Sequence, residues 1–175
     1  MKVYTVRHGQ IPSNALRRYP YEDEQLTELG IEQAAKLRDR LKNTEFDVIV
    51  CSPLNRAKQT ASIINSNNYR IIYDERIKER GYGDLAGNPL EIIDRGEWWN
   101  YNSAVDCGTS ENIRVFFKRI FDFLNDLKTR DYDKVLIVAH AGVLKAVSGY
   151  FEGMGDGNFI DRKFDNCGLR EYELL

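Results

Sequence analysis

Val3-Tyr4-Thr5-Val6-Arg7-His8-Gly9-Gln10 opens the chain with a short β-branched and aromatic run that stops on an arginine and a histidine. The run is too short for a helix and reads as a strand. Arg7 is a permanent cation, His8 a titratable nucleophile, and Gly9 lets the backbone turn and approach whatever they hold. In open α/β sheets, ligands bind just beyond the carboxyl ends of the strands, where these two side chains emerge. Taken alone, the octapeptide is equally well read as a surface Arg-His pair.

The same design returns late in the chain. Lys134-Val135-Leu136-Ile137-Val138-Ala139 is the best strand in the sequence and is expected at the centre of a sheet; it ends in His140-Ala141-Gly142 and a helical Val143–Val147. Between the two, Asp47–Cys51 is a continuous apolar run, as in a strand covered on both faces. Ser52-Pro53 then reads as an N-cap followed by proline at the first helical position, with Ala57, Ala61 and Ile64 on one side of the helix. Arg56 thereby falls in a first helical turn just past a strand end. Helix N-termini favour anions there, and a guanidinium adds a fork for phosphate or carboxylate oxygens. By itself, Arg56 is one surface arginine among many.

The remaining elements follow from periodicity. Residues 10–25 have loop chemistry, and Thr27 is expected to cap a helix whose Ile31, Ala34, Leu37 and Leu41 recur at helical spacing. Tyr69–Tyr73 reads as a third strand, nearer an edge. Ile77 to Gly87 carries three glycines behind Glu79 and looks like a shaped loop. The stretch 80–108 holds Trp98, Trp99 and Tyr101; it is either a lid that shapes a pocket or a connection anchored to the core by its aromatics. Ser110 is expected to cap the longest helix, whose Ile113, Phe116, Phe117, Ile120, Leu124 and Leu127 form an apolar stripe. After the glycine-rich turn at Gly153–Gly157, Phe159-Ile160 and Leu169–Leu174 read as closing strands, one of them antiparallel.

A length of 175 residues fits one domain, 1–175, and a net charge of −2 with 42% hydrophobic residues describes an ordinary globular protein. Basic residues are dispersed, which argues against nucleic acid, and the apolar runs are too short to cross a bilayer. Met1-Lys2 leads straight into a strand, so no signal peptide is expected. Three cysteines without a Cys-x-x-Cys pair suggest reduced thiols and a cytoplasmic home. With only two histidines, a zinc site would need a mixture of distant Cys and acids, and no metal is expected.

Alternating strands and helices predict a three-layer α/β/α sandwich with a mostly parallel sheet. In it Arg7, His8, Arg56, Glu79 and His140 emerge from one rim. These residues, with the run Ser52-Pro53-Leu54-Asn55-Arg56-Ala57-Lys58-Gln59-Thr60-Ala61, Glu79 before Gly83-Asp84, His140-Ala141-Gly142, and Leu26-Thr27-Glu28-Leu29-Gly30 before Gln33-Ala34, resemble the histidine phosphatase superfamily, also called phosphoglycerate-mutase-like. The likeness runs from Val3 to about Val147 in the family's order. It departs at Ile11, where Ser or Thr is usual, and at Ala141, where Gly is common.

The resemblance implies a metal-independent phosphomonoester hydrolase with no cofactor, acting on a small phosphorylated metabolite through a phosphohistidine. His8 would be the nucleophile and must be neutral to attack. Arg7, Arg56 and His140 would hold the phosphoryl group, His140 best as an imidazolium, and Glu79 would serve as acid and then base. Asn14 stands where the family often places a phosphate-contacting asparagine, and Ala141 lines the same cup. Two alternatives stay open: a phosphoglycerate mutase, which the short chain disfavours, and a silent phosphate-binding or interaction module of the same fold. The substrate and the oligomeric state are also open. Arg17, Arg18, Tyr19, Arg80, Tyr82, Trp98, Trp99 and Tyr101 are candidates for the leaving-group side, where arginines suit an additional acidic group and aromatics a flat or apolar one.

Overall fold

In a computed structural model, which describes residues 1–105 and 108–175, the opening strand β1 (Lys2–Arg7) lies between β4 (Lys134–Ala139) and β5 (Leu169–Glu173). With β2 (Val48–Cys51) and β3 (Ile71–Tyr73), the sheet order is β3-β2-β4-β1-β5. All neighbours are parallel except β5, which runs antiparallel to β1. β4 takes the centre, as its apolar run demands: Val135 to Ala139 are at most 1% exposed.

Helices cover both faces, so the sandwich is three-layered as expected. Along β4 alternate side chains point to opposite faces. Leu136 and Val138 pack with Val6 and Ile49 against Ala34 and Leu37 of α2 (Glu28–Leu41) and Ala57 and Ala61 of α3 (Asn55–Ile64). Val135 and Ile137 pack with Val3 and Val50 against Phe116, Ile120 and Leu124 of α5 (Ile113–Lys128) and Val143 and Val147 of α6 (Ala141–Glu152). Phe116 is wholly buried there, and truncating such a ring to alanine costs about 3–5 kcal/mol.

Several local expectations are corrected. α3 begins at Asn55 with Leu54 in the cap position, not at Pro53; the Ser52 hydroxyl is engaged elsewhere. α5 is capped by Asn112, whose side chain accepts from the Arg114 amide at 2.8 Å, while the Ser110 hydroxyl donates to the Tyr82 carbonyl. Thr27 caps α2 as expected, accepting from the Gly30 amide at 3.1 Å, but Ile31 is 48% exposed and Gly30 takes the buried position. Residues 12–15 of the expected loop form a single turn, α1 (Pro12–Ala15).

Phe159-Ile160 forms no strand. Phe159 is fully buried, with its ring 4.8 Å from Phe117, and the nearest sheet-like contact is an isolated bridge between Asn100 and Asn158. A buried apolar pair in a loop carries the same local signal as a strand end. In the stretch 80–108, residues 106 and 107 lie outside the described residues. Within the rest, α4 (Arg95–Trp98) is one turn, both tryptophans are buried in the main core, and the Tyr101 ring lies 5.4 Å from Phe117. These contacts support the anchoring reading of its aromatics. Among the described residues no helix is long and apolar enough to cross a membrane.

Candidate active site

Strand register builds the rim. Arg7 lies opposite Ala139, and Cys51 opposite Val138. The amides that follow continue the ladders, His8 to the Ala139 carbonyl at 2.9 Å and Ser52 to the Val138 carbonyl at 3.0 Å. Thus His8, Ser52 and His140 leave three adjacent strands at one level. The His8 and His140 ring centroids are 5.1 Å apart and tilted by 59°.

His8 is 3% exposed, and its Nδ1 lies 2.7 Å from the Gly9 carbonyl oxygen. That oxygen can only accept, so Nδ1 carries the proton and Nε2 keeps its lone pair in the neutral ring. Burial pushes the imidazole well below its ordinary 6.5, helped by Arg56 and then Arg7, against the opposing Gly9 hydrogen bond. The Gly9 backbone is held in turn: its amide donates to Thr60 Oγ1 at 3.0 Å, and a Cβ on Gly9 would sit 2.4 Å from the Gly30 carbonyl oxygen. Only glycine fits where this loop meets the start of α2.

His140 is fully buried and precedes α6. Its Nε2 lies 2.7 Å from Ser52 Oγ, while Nδ1 is buried without a partner. Burial, Arg56 and His8 push this ring well below 6.5 too. The direction runs against the expected imidazolium: each ring of the free site is desolvated and faces the same guanidiniums, which favours the neutral form.

Arg7 Nη1 donates to the Phe164 carbonyl at 2.8 Å, and Arg56 Nη1 to the carbonyls of Tyr21 and Glu22 at 2.9 and 3.2 Å. Both Nε atoms are buried and unpartnered. Backbone acceptors thus fix each guanidinium and leave donors unspent. Buried donors without partners cost about 1–3 kcal/mol each, a cost that an anion in the cup removes.

Glu79 lies across from them. Its Oε1 accepts from the Arg80 amide at 2.9 Å and its Oε2 from the Gly142 amide at 3.2 Å, in the first turn of α6. Behind it, Arg119 of α5 donates to the carbonyls of Arg76, Lys78 and Glu79 and pairs with Glu111 at 2.8 Å. Asn14 Oδ1 accepts from the Ile11 amide at 3.3 Å and from Asn166 at 3.2 Å, and its Nδ2 has no hydrogen-bond partner among the described residues.

The structure brings the expected residues together with two qualifications. Arg7, His8, Asn14, Glu79 and Ala141 line one hollow of about 280 Å³, whereas Arg56 faces an adjoining hollow that shares Glu79 and Tyr82 with the first. His140 lies beneath and lines neither. Arg17, Arg18, Tyr19, Tyr82 and Trp99 do line the first hollow. Arg80 does not serve the leaving-group side as supposed: it is 1% exposed, stacks 3.5 Å from the Trp98 ring and donates to the carbonyls of Trp98 and Glu111.

Sequence reasoning missed Asn166, Lys145 and Arg95. Asn166 Nδ2 donates to the His8 carbonyl at 2.9 Å, and Lys145 and Arg95 line the hollow. A lysine inside the apolar run Val143–Val147 was the one available signal. Its Nζ donates to the carbonyls of Phe159, Ile160 and Arg162, the last at 2.6 Å, and burial, then the charge of Arg95, pushes it down to about 7. Among the described residues no group of three or more His, Cys, Asp or Glu is placed to hold a metal ion.

Fold and rim together put the chain in the α/β phosphoryl-transfer class, with phosphoglycerate-mutase-like architecture. The profile of the histidine phosphatase superfamily (branch 1) matches residues 3–174, and the chain belongs to that family. It is 38% identical to "Probable phosphoglycerate mutase GpmB" of Yersinia pestis, over 97% of this chain and 83% of that protein. It is 29% identical to "Phosphoserine phosphatase 1" of Hydrogenobacter thermophilus, over 95% and 83%. The crystal structure of the alpha-ribazole phosphatase from Shigella flexneri superposes with a TM-score of 0.84 at 25% identity, covering 98% of this chain and 89% of that one.

Proposed function

We propose that the protein hydrolyses the phosphomonoester of a small metabolite through a phosphohistidine on His8. The observation that carries this reading is the bond from His8 Nδ1 to the Gly9 carbonyl, which leaves the Nε2 lone pair of a neutral ring beside buried, unpartnered donors of Arg7, Arg56 and His140. Names of relatives support the substrate class, since phosphatases of phosphoserine and alpha-ribazole phosphate are among them.

In the first step Nε2 attacks phosphorus, the bond to the ester oxygen breaks, and that oxygen takes its electron pair and the proton of Glu79. Arg7, Arg56, Asn14 Nδ2 and His140 Nδ1 hold the phosphoryl oxygens; such positioning and charge stabilisation do most of the work in phosphoryl transfer. In the second step the Glu79 carboxylate takes a proton from water as the water oxygen attacks phosphorus. The P–N bond breaks, its electrons return to Nε2, and inorganic phosphate leaves. The chain acts as a single catalytic unit, and Tyr82, Leu90, Arg95 and Trp99 wall the leaving-group side. Backbone pairing of Tyr19 with Gly87 and Asn88 supports a fixed wall over a moving lid. Cys51 and Cys167 are free and buried, pushed up to about 12 and about 11 by burial, which suits the reducing cytoplasm.

The test is turnover of a labelled monoester quenched in alkaline detergent, which preserves a P–N bond. The wild type should yield an acid-labile phosphoenzyme and free phosphate, and His8→Ala neither. Substantial hydrolysis by folded His8→Ala would defeat the nucleophile assignment. Incubation with phosphoglycerate and bisphosphoglycerate separates hydrolase from mutase: isomerised product without free phosphate would replace this reading with the mutase one.

A further inference from the structure

The hollow over His8 is more cationic than one phosphoryl group requires. Its lining includes Arg7, Arg17, Arg18, Arg95 and Lys145, and Glu79 is the one carboxylate among them. Arg7 serves the phosphoryl end, and Arg17 is paired with Glu91 at the surface. What remains is a second cluster on the leaving-group side. Arg18 spends one nitrogen on the Gly87 carbonyl at 2.8 Å. Lys145 rests on neutral carbonyls and forms no ion pair among the described residues, with Glu79 and Asp161 acting on its charge only from a distance.

Arg95 is the least satisfied of the three. It stands at the first position of α4, half-buried, with Nε enclosed and unpartnered, and it forms no ion pair among the described residues. The neighbouring carboxylates are committed. Asp94 caps its own helix turn through the amides of Gly96 and Glu97, and Glu91 holds Arg17. Desolvating a cation without a partner is costly, and the repulsion between Arg95 and Lys145 adds to that cost. A ligand anion offsets both. The guanidinium fork suits a carboxylate or a phosphate group, each with two oxygens to offer.

We propose that Arg95, with Arg18 and Lys145 lining the same hollow, binds a second anionic group on the leaving part of the substrate. The preferred substrates are then small phosphomonoesters with a carboxylate or a second phosphate a few bonds from the scissile oxygen. The volume of about 280 Å³ suits a small ligand, lying just under the roughly 300–1,000 Å³ typical of ligand pockets. This inference rests on the phosphatase reading and names the substrate class within it.

The test compares kcat/KM for three monoesters: one with a carboxylate (3-phosphoglycerate), one with a second phosphate (a sugar bisphosphate), and one with a neutral leaving group (ethyl phosphate). The wild type should prefer one of the two acidic substrates by at least about tenfold, and which one it prefers identifies the anion. Arg95→Gln should cut that preference by at least about tenfold, mainly through KM, and Arg95→Lys should restore part of it. Equal kcat/KM for acidic and neutral substrates in the wild type overturns the inference, whatever the variants do. So does a parallel loss on all three substrates in folded Arg95→Gln. Failure to hydrolyse any monoester defeats the phosphatase reading and this one with it, whereas hydrolysis without an acid preference defeats this one alone.

Discussion

Ser52 acts on the site through His140 and not through the helix that its sequence context advertises. Its oxygen lies 3.4 Å from the Leu54 amide, which can only donate, so its own proton goes to His140 Nε2 at 2.7 Å. Nε2 is then the acceptor, and the buried, unpartnered Nδ1 carries the hydrogen. Ser52→Ala should release that tautomer and slow phosphoenzyme formation on the order of 10–100-fold, as losses of orienting partners do; an unchanged single-turnover rate would show that the hydroxyl does not matter. Gly142 has a sharper constraint. A Cβ there would lie 2.2 Å from Glu79 Oε1 and 2.7 Å from Trp99 Cη2, and the packed tryptophan leaves the carboxylate to move. A misplacement of about 1 Å costs about 100-fold in rate, so Gly142→Ala should lower kcat by that order. Rapid-quench kinetics with a normal kcat would contradict the contact.

At the scale of elements, α2 and α5 hold the chemistry without contributing to it. The start of α2 docks on the loop after β1 so closely that a Cβ on Gly30 would lie 2.2 Å from the Gln10 carbonyl oxygen. Alanine normally favours a helix over glycine by up to about 1 kcal/mol, but overpacking costs about 1–3 kcal/mol. Gly30→Ala should therefore destabilise the protein and weaken phosphate binding; a denaturation midpoint above that of the wild type would reverse this ranking. From the other face, Arg119→Leu strands Glu111 and three carbonyls and should cost about 3 kcal/mol, visible in urea unfolding. Such clamps explain what the sequence left dark. Strands of continuous apolar residues and the histidines at their ends were legible, because pattern and chemistry coincide there. Arg119 reads as one more polar face of an amphipathic helix, and Ser52-Pro53 gives a true helix-start signal that a tertiary partner overrides. Asn166 sits in irregular chain and Arg95 in a single helical turn, where no periodicity points.

For the molecule as a whole, the two neutral imidazoles tie stability to pH. Both are pushed well below 6.5 in the fold and return to about 6.5 when unfolded. Below that pH the unfolded chain binds more protons than the folded one. The contribution is therefore complete above about pH 6.5 and drains as pH falls toward the depressed folded values, at up to about 2.7 kcal/mol per pH unit for the pair. Between pH 7.5 and 5.5 the wild type should lose more unfolding free energy than the double variant His8→Asn/His140→Asn; equal losses would mean that the rings are charged in the fold. The last part of the chain adds another dependence. Phe164 receives Arg7, Asn166 holds the His8 carbonyl, the Cys167 amide bonds the Arg7 carbonyl at 2.9 Å, and β5 borders β1. During synthesis the surroundings of His8 wait for residues about 160 positions later. A nascent chain stalled before residue 160 would contain every group proposed for phosphoryl transfer and still lack the clasp that aims them, so the catalyst switches on only once Phe164 to Cys167 have been added.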